Sequence, residues 1–244
     1  MRKGKDMKGI KKIVNSKNIM RFIFFTFICS ILYITVRIIL APAVAPSSEI
    51  TVRVKSDYVL MLVQCVLGLL AMMLPDLLRR IIHLNIPSVM MILYAVFLYG
   101  AIYLGEVRSF YYNVPHWDTI LHIFSGAALG ALGFSLVSLL NKSESVQFSL
   151  SPLFVALFAF CFALSLGAIW EIYEFSIDGI LHTNSQKYAL ESGEALVGQA
   201  ALADSMKDLI VDASGALVMS AIGYISLKHK KGWLEGLQIK RTKP

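Results

Sequence analysis

Charge is what this sequence has least of. Asp, Glu, Lys and Arg make up 16% of its 244 residues, against about 25% in a soluble domain. That scarcity excludes a water-facing globular surface, and equally a chain kept disordered by its own charge. Cysteine is scarce too. Cys29, Cys65 and Cys161 each lie inside an apolar run with no CxxC spacing, which excludes a disulfide-stapled secreted module and leaves three small apolar packers. Gly-rich phosphate loops, G-x-S-x-G and H-E-x-x-H are all missing, so no familiar catalytic motif identifies a reaction. Period-2 alternation is also missing, which excludes the strands of an outer-membrane barrel.

What the chain has instead is apolar bulk: 57% hydrophobic residues and a mean hydropathy of +0.66. Runs of about 20 apolar residues, enough to cross the hydrocarbon, fall at roughly Phe22–Leu40, Tyr58–Leu74, Val89–Leu104, Ile120–Leu140, Pro152–Trp170 and Leu209–Leu227. The fold class is therefore all-α: a polytopic bundle of about six transmembrane helices. No internal repeat appears, so one membrane domain, 22–227, lies between basic tails 1–21 and 228–244, with a long outer loop at 171–208. Tyr99, Tyr103, Tyr111 and Tyr112 read as a headgroup belt. Between Pro75 and Pro87, Asp76 to Leu84 reads as a short amphipathic helix lying on anionic lipid.

The net charge of +7 does not indicate nucleic acid, because the basic residues flank apolar spans and form no basic face. Of 23 Lys and Arg, 17 fall in segments 1–21, 75–88, 141–151 and 228–244. Arg37, Arg53, Lys55, Arg108, Lys187 and Lys207 lie on the other side. This bias places both termini in the cytoplasm of a bacterial-type plasma membrane. Ala41-Pro-Ala43 after the first span imitates a signal-cleavage site. The length of the run, Arg37 near its end, and Pro46 after Ala45 favour a retained anchor.

Ionisable residues at membrane depth are costly and therefore informative. Asp118 and His122 share one helix face at the outer end of the fourth span. Glu171, Glu174 and Asp178 do so at the end of the fifth, and Asp204, Asp208, Asp212 and Gly215 at the start of the sixth. At about 1.5 Å per residue, all three stripes reach the same outer boundary layer. Seven carboxylates beside one histidine cannot all stay ionised there, so protons or a cation must compensate them. Oxygen-rich donors with one imidazole suit Mg, Mn, Ca or Zn. His122, Glu171, Glu174 and Asp212 are the candidate ligands of a divalent ion. With Asp118 and Asp208 they form the candidate ligand and acid–base set.

The plainer reading is that acids at outer helix ends face water. Asp204 and Asp208 also suit the positive end of a helix dipole, and Asp178 reads as loop-exposed. His83, His182 and His229 read as solvent histidines, and Gly126, Gly130, Gly133, Gly167 and Gly215 as close helix packing.

The order Trp117-Asp118-x-x-x-His122, then Trp170-Glu171-x-x-Glu174-x-x-x-Asp178, then Asp204-x-x-x-Asp208-x-x-x-Asp212-x-x-Gly215-Ala216 resembles the YjdF-like family of bacterial inner-membrane proteins over about residues 85–230. Asp118-x-x-x-His122, Glu171-x-x-Glu174 and Asp208-x-x-x-Asp212-x-x-Gly215 are also similar to the VanZ-like family, linked to tolerance of the glycopeptide teicoplanin. This chain has Thr119, Glu174 and Asp212 where that family commonly has Lys, Gln and Asn, which makes the site here more acidic. The first resemblance implies an inner-membrane protein whose polar positions act as a set; neither implies a reaction.

Together these features lead to an integral membrane protein with an acidic, His-containing pocket at the outer-leaflet boundary. Membrane lipid is its surroundings, and a lipid-linked or envelope substrate is its expected partner. The alternatives are a cation- or proton-binding transporter and a non-catalytic scaffold. Transporters usually bind near the midplane between repeated halves.

Overall fold

Long apolar runs in this chain become helices because in hydrocarbon only a helix satisfies every backbone polar group within its own segment. A computed structural model describes residues 16–43, 53–141, 150–190 and 194–241. Residues 1–15 of the basic tail, Ala45 and Pro46, and Lys142 lie outside the described residues. The helices are α1 (Ser16–Leu40), α2 (Lys55–Ile81), α3 (Ser88–Leu98), α4 (Trp117–Asn141), α5 (Pro152–Leu181) and α6 (Gln199–Lys228). A π-helical stretch, Tyr99–Val107, continues α3, and a single helical turn, Phe110–Asn113, leads into α4. Six of these segments, counting α3 with its π extension, are long and apolar enough to cross a membrane. The chain is a multi-pass helical membrane protein.

Helix ends fall beyond the apolar runs. Ser151 caps α5 by accepting from Phe154 N at 3.2 Å, with Pro152 pre-set in the first turn. At its far end α5 continues through Glu171, Glu174 and Asp178 and stops at His182, which adopts the left-handed conformation (φ 54°). The expected loop 171–208 therefore shrinks to 182–198, and the seven acids of the three stripes all sit on helices. The short amphipathic helix expected after Pro75 is likewise the uninterrupted last turns of α2. Pro75 denies the Ala71 carbonyl its helical donor, and the Tyr94 hydroxyl from α3 supplies one at 2.8 Å. That bond lets the helix run through the proline.

Packing forms two groups of three helices. Helices α1, α2 and α3 close around Ile23, Phe27, Ile34, Met61, Cys65 and Ile102. Helices α4, α5 and α6 close on one another through small residues. A Cβ on Gly126 would collide with the Asp212 carbonyl, and one on Gly215 with that of Ile123, so α4 and α6 touch backbone to backbone. Gly133 meets Ala159 in the same way, where a Cβ would come 2.8 Å from the Ala159 Cα. The glycines are packing glycines, as the sequence indicated.

At one end of the bundle the α2–α3 connection and the C-terminal tail meet. Strands β1 (Leu84–Asn85) and β2 (Lys240–Arg241) pair antiparallel, and Ile239 N donates to Ser135 Oγ at 2.6 Å. At the opposite end Arg53 closes the π-helical stretch by donating to the Glu106 carbonyl (3.1 Å), the Val107 carbonyl (3.4 Å) and Ser109 Oγ. That is the end at which the acids gather.

Candidate functional site at the outer helix ends

One stripe of α4 and one of α6 face each other across the glycine contact. Asp118, His122 and Ser125 lie on the α4 side, and Asp204, Asp208 and Asp212 on the α6 side. The approach enforced by Gly126 and Gly215 brings the imidazole of His122 between three aspartates. Its Nδ1 is 3.2 Å from Asp212 Oδ2, and its Nε2 is 3.7 Å from both Asp118 Oδ1 and Asp208 Oδ2. Ser125 Oγ donates to the other Asp212 oxygen at 2.7 Å. Asp208 and Asp212 are each 3% exposed, so neither is a solvent-facing helix-end acid.

Helix α5 supplies the third wall. Gly167 lies against Asp212, where a Cβ would come 2.6 Å from Oδ2. One turn on, Glu171 is 7% exposed; neither of its oxygens has a donor within 3.5 Å, and the Ser205 hydroxyl is the polar group that approaches it. His122, Asp204 and Asp212 are its charged neighbours. A buried carboxylate left unpaired is expensive. Glu174, half-buried one turn further out, faces Glu171, Asp118, Lys187 and His122.

Asp118, His122 and Asp208 each offer a ligand atom, and the three atoms lie within 4.8 Å of one another. Donors around one ion, each about 2.0–2.6 Å from it, stand roughly 3–5 Å apart. Of the four residues expected to be ligands, only His122 belongs to this group. Asp212 instead occupies the other ring nitrogen, and Glu171 lines the wall beside it.

Two expectations about the outer acids change. Asp178 is not loop-exposed: it is 6% exposed and accepts from Thr183 Oγ1 (2.6 Å), Ser185 N (2.7 Å) and Gln186 N (2.9 Å). Hydrogen bonds to an ionised carboxylate are among the strong ones, and these three, one from a hydroxyl and two from the backbone, shape the loop beyond α5. Asp204 is half-buried, 3.5 Å from Lys187 Nζ. The exposure of His83, His182 and His229 agrees with the sequence reading.

Sequence reasoning missed Lys187, Tyr111, Glu106 and Ser125. Lys187 reaches back from the loop to place Nζ 2.7 Å from Asp118 Oδ2 and 5.5 Å above the Tyr111 ring. Burial alone would lower its pKa; Asp118 and Asp204 outweigh that and hold it above the ordinary lysine value. Tyr111 is no headgroup anchor. It packs over Gly105, where a Cβ would come 2.7 Å from its Cζ. Burial, then Glu106, Asp118, Glu174 and Asp208, push its phenol well above the usual range. Glu106, at the end of the π-helical stretch, has Lys187, Arg53 and Asp118 as charged neighbours and takes Gln64 Nε2 at 3.5 Å. Two of the four left a sequence signal: Ser125, one turn beyond His122 on the face already marked by Asp118, and Glu106, an acid just past the third apolar run.

Residues 27–229 match a family described as a predicted membrane protein, DUF2238. An uncharacterized protein of Thermotoga maritima is 31% identical over 153 residues, covering 62% of this chain and 69% of the relative. No solved structure matches.

Proposed function

The chain belongs to the DUF2238 family of membrane proteins, and on that footing we propose that its outer pocket binds a divalent metal ion through Asp118, His122 and Asp208. The observation that carries this reading is the mutual approach of those three ligand atoms to within 4.8 Å. In this reading the His122–Asp212 contact has a defined role. Nδ1–H donates to Asp212, which leaves the Nε2 lone pair facing the two remaining aspartates. Ser125 holds Asp212 in place for that task. Glu171, buried and unpaired beside them, is the carboxylate available to a metal-bound water or to the substrate.

Charge supports the same reading. Six carboxylates, Asp118, Glu171, Glu174, Asp204, Asp208 and Asp212, face one half-buried lysine and one imidazole, with the exposed Lys207 near Asp204 besides. A divalent ion reduces that imbalance at the place where the donors converge. When bound it would polarise a phosphoryl or carbonyl oxygen or activate water. Counted along the apolar runs, the site falls at the expected outer lipid boundary, a position that would suit a lipid-linked or envelope substrate. The resemblance of its acidic pattern to that of YjdF-like proteins fits this use of the polar positions as a set.

The second reading comes from the same histidine. A protonated His122 would ion-pair with Asp118, Asp208 and Asp212 and hold α4 to α6 with no ion at all. Metal analysis of the purified, full-length protein separates the two, with Asp208→Asn and Glu171→Gln beside the wild type. The metal reading expects a stoichiometric divalent ion in the wild type and its loss in Asp208→Asn. Metal-free wild-type protein that gains no thermal stability from Mg, Mn, Zn or Ca would leave the ion-pair reading standing.

A further inference from the structure

Lys187 is the cation already in place at this acidic pocket, and the loop that carries it is pinned. Asp178 fixes the backbone just before it, Gln186 Nε2 donates to Ser205 Oγ at 2.8 Å, and an antiparallel bridge joins Ala189 to Ala195 beyond it. The tether holds the ammonium beside Asp118 and Asp204 at a high effective concentration. With the backbone fixed, only rotation about the side-chain bonds of Lys187 can take the ammonium off Asp118. The ion pairs of this ammonium go to Asp118 and Asp204, and Glu171, more than nine-tenths buried, lies beyond its reach.

From this we infer that Lys187 is a tethered competitor which sets the charge threshold for the cation the pocket accepts. It occupies Asp118 until a divalent ion drives it off. The inference rests on the metal reading above. A free monovalent ion brings the same charge as the tethered ammonium and lacks its effective concentration, so it gains nothing by exchange. A divalent ion carries twice the charge and engages His122 and Asp208 as well as Asp118. Once bound, it repels Lys187 from the carboxylate they would otherwise share. Lys187 therefore weakens divalent binding and excludes monovalent ions.

The test is Mn2+ titration of the full-length protein in lipid nanodiscs, comparing wild type, Lys187→Met and Lys187→Arg. Amine acylation of the wild type, with and without Mn2+, is read by mass spectrometry alongside. Removing the competing charge is expected to tighten Mn2+ binding about tenfold or more in Lys187→Met, with Lys187→Arg close to wild type. Na+ should compete with Mn2+ in Lys187→Met and not in the wild type. In the wild type, Mn2+ should raise acylation of Lys187 severalfold while exposed Lys207 on α6 stays constant as the internal reference. Should Lys187→Met fail to fold, the wild-type acylation decides alone. Unchanged affinity in folded Lys187→Met, or unchanged Lys187 reactivity with Mn2+ demonstrably bound, overturns the inference and leaves the metal reading intact. No Mn2+ binding by any of the three proteins overturns the metal reading itself, and the inference with it.

Discussion

Gly167 on α5 touches the carboxylate of Asp212 on α6, so closely that a methyl group there would stand 2.6 Å from Oδ2. The same carboxylate is held by Ser125 and His122 of α4. Asp212 is thus the point at which all three helices of the second group meet, and its orientation depends on a missing side chain.

Gly167→Ala therefore tests function apart from fold. The atom it strikes is the end of a side chain, which can turn aside. Gly126→Ala and Gly215→Ala strike backbone carbonyls, which cannot. We expect Gly167→Ala to lose about 1 kcal/mol or less while releasing His122 from its orienting partner, so that metal affinity falls about 10-fold. Gly126→Ala should cost about 1–3 kcal/mol as α4 and α6 are forced apart. Thermal unfolding in detergent beside metal titration checks both. Equal losses of stability in the two variants would contradict this division.

The six spans were legible because hydrocarbon thickness imposes a run length that composition cannot hide. The acid stripes were legible because helical periodicity puts Asp118 with His122, and Asp208 with Asp212, on common faces. Helix ends were not legible, because polar residues continue a helix freely once it leaves the hydrocarbon, as Glu174 and Asp178 do. Lys187 was invisible because its place depends on a loop shaped by Asp178, and nothing local in the sequence pairs it with Asp118, 69 positions away. Tyr111 was misread because an aromatic residue at a span end looks the same whether it faces headgroups or covers a glycine.

Alkaline pH gives a signed test of the Lys187 contact. Its pKa is raised on folding, so its contribution to stability is complete below the ordinary lysine value near 10.4 and is lost as pH climbs through the higher folded value. Tyr111, also raised, titrates with the same sign in the same alkaline region. In a Tyr111→Phe background, we expect Lys187→Met to lower the melting temperature at pH 8 and to flatten its decline above pH 10. A parallel decline with and without Lys187 would contradict the contact.

Pro75 and Tyr94 should be coupled energetically. In the wild type, Tyr94→Phe leaves the Ala71 carbonyl without the donor it has now, at a cost of about 1–3 kcal/mol in a site remote from water. Pro75→Ala restores the helical N–H to that same carbonyl. In the Pro75→Ala background, Tyr94→Phe should then be nearly neutral. The double-mutant cycle should show an interaction of at least about 0.5 kcal/mol. Additive effects would mean that the proline is accommodated by some other means.

Sidedness follows from two features that constrain each other. Six spans put both ends of the chain on one side, and the pairing of Leu84–Asn85 with Lys240–Arg241 independently joins the α2–α3 connection to the C-terminal tail at one end of the bundle. The basic residues concentrate at that end, with Arg79, Arg80, Lys228, Lys230 and Lys231 among them, and such residues are retained in the cytoplasm. The acidic pocket and Lys187 must then face outward. With the three native cysteines replaced, Ser185→Cys should react with a membrane-impermeant maleimide in intact cells, and Lys231→Cys only after the membrane is opened. Labelling of Lys231→Cys from outside would invert the topology and place the acidic pocket in the cytoplasmic leaflet. A cell-envelope substrate would then be out of its reach, while the geometry that favours a metal ion would be untouched.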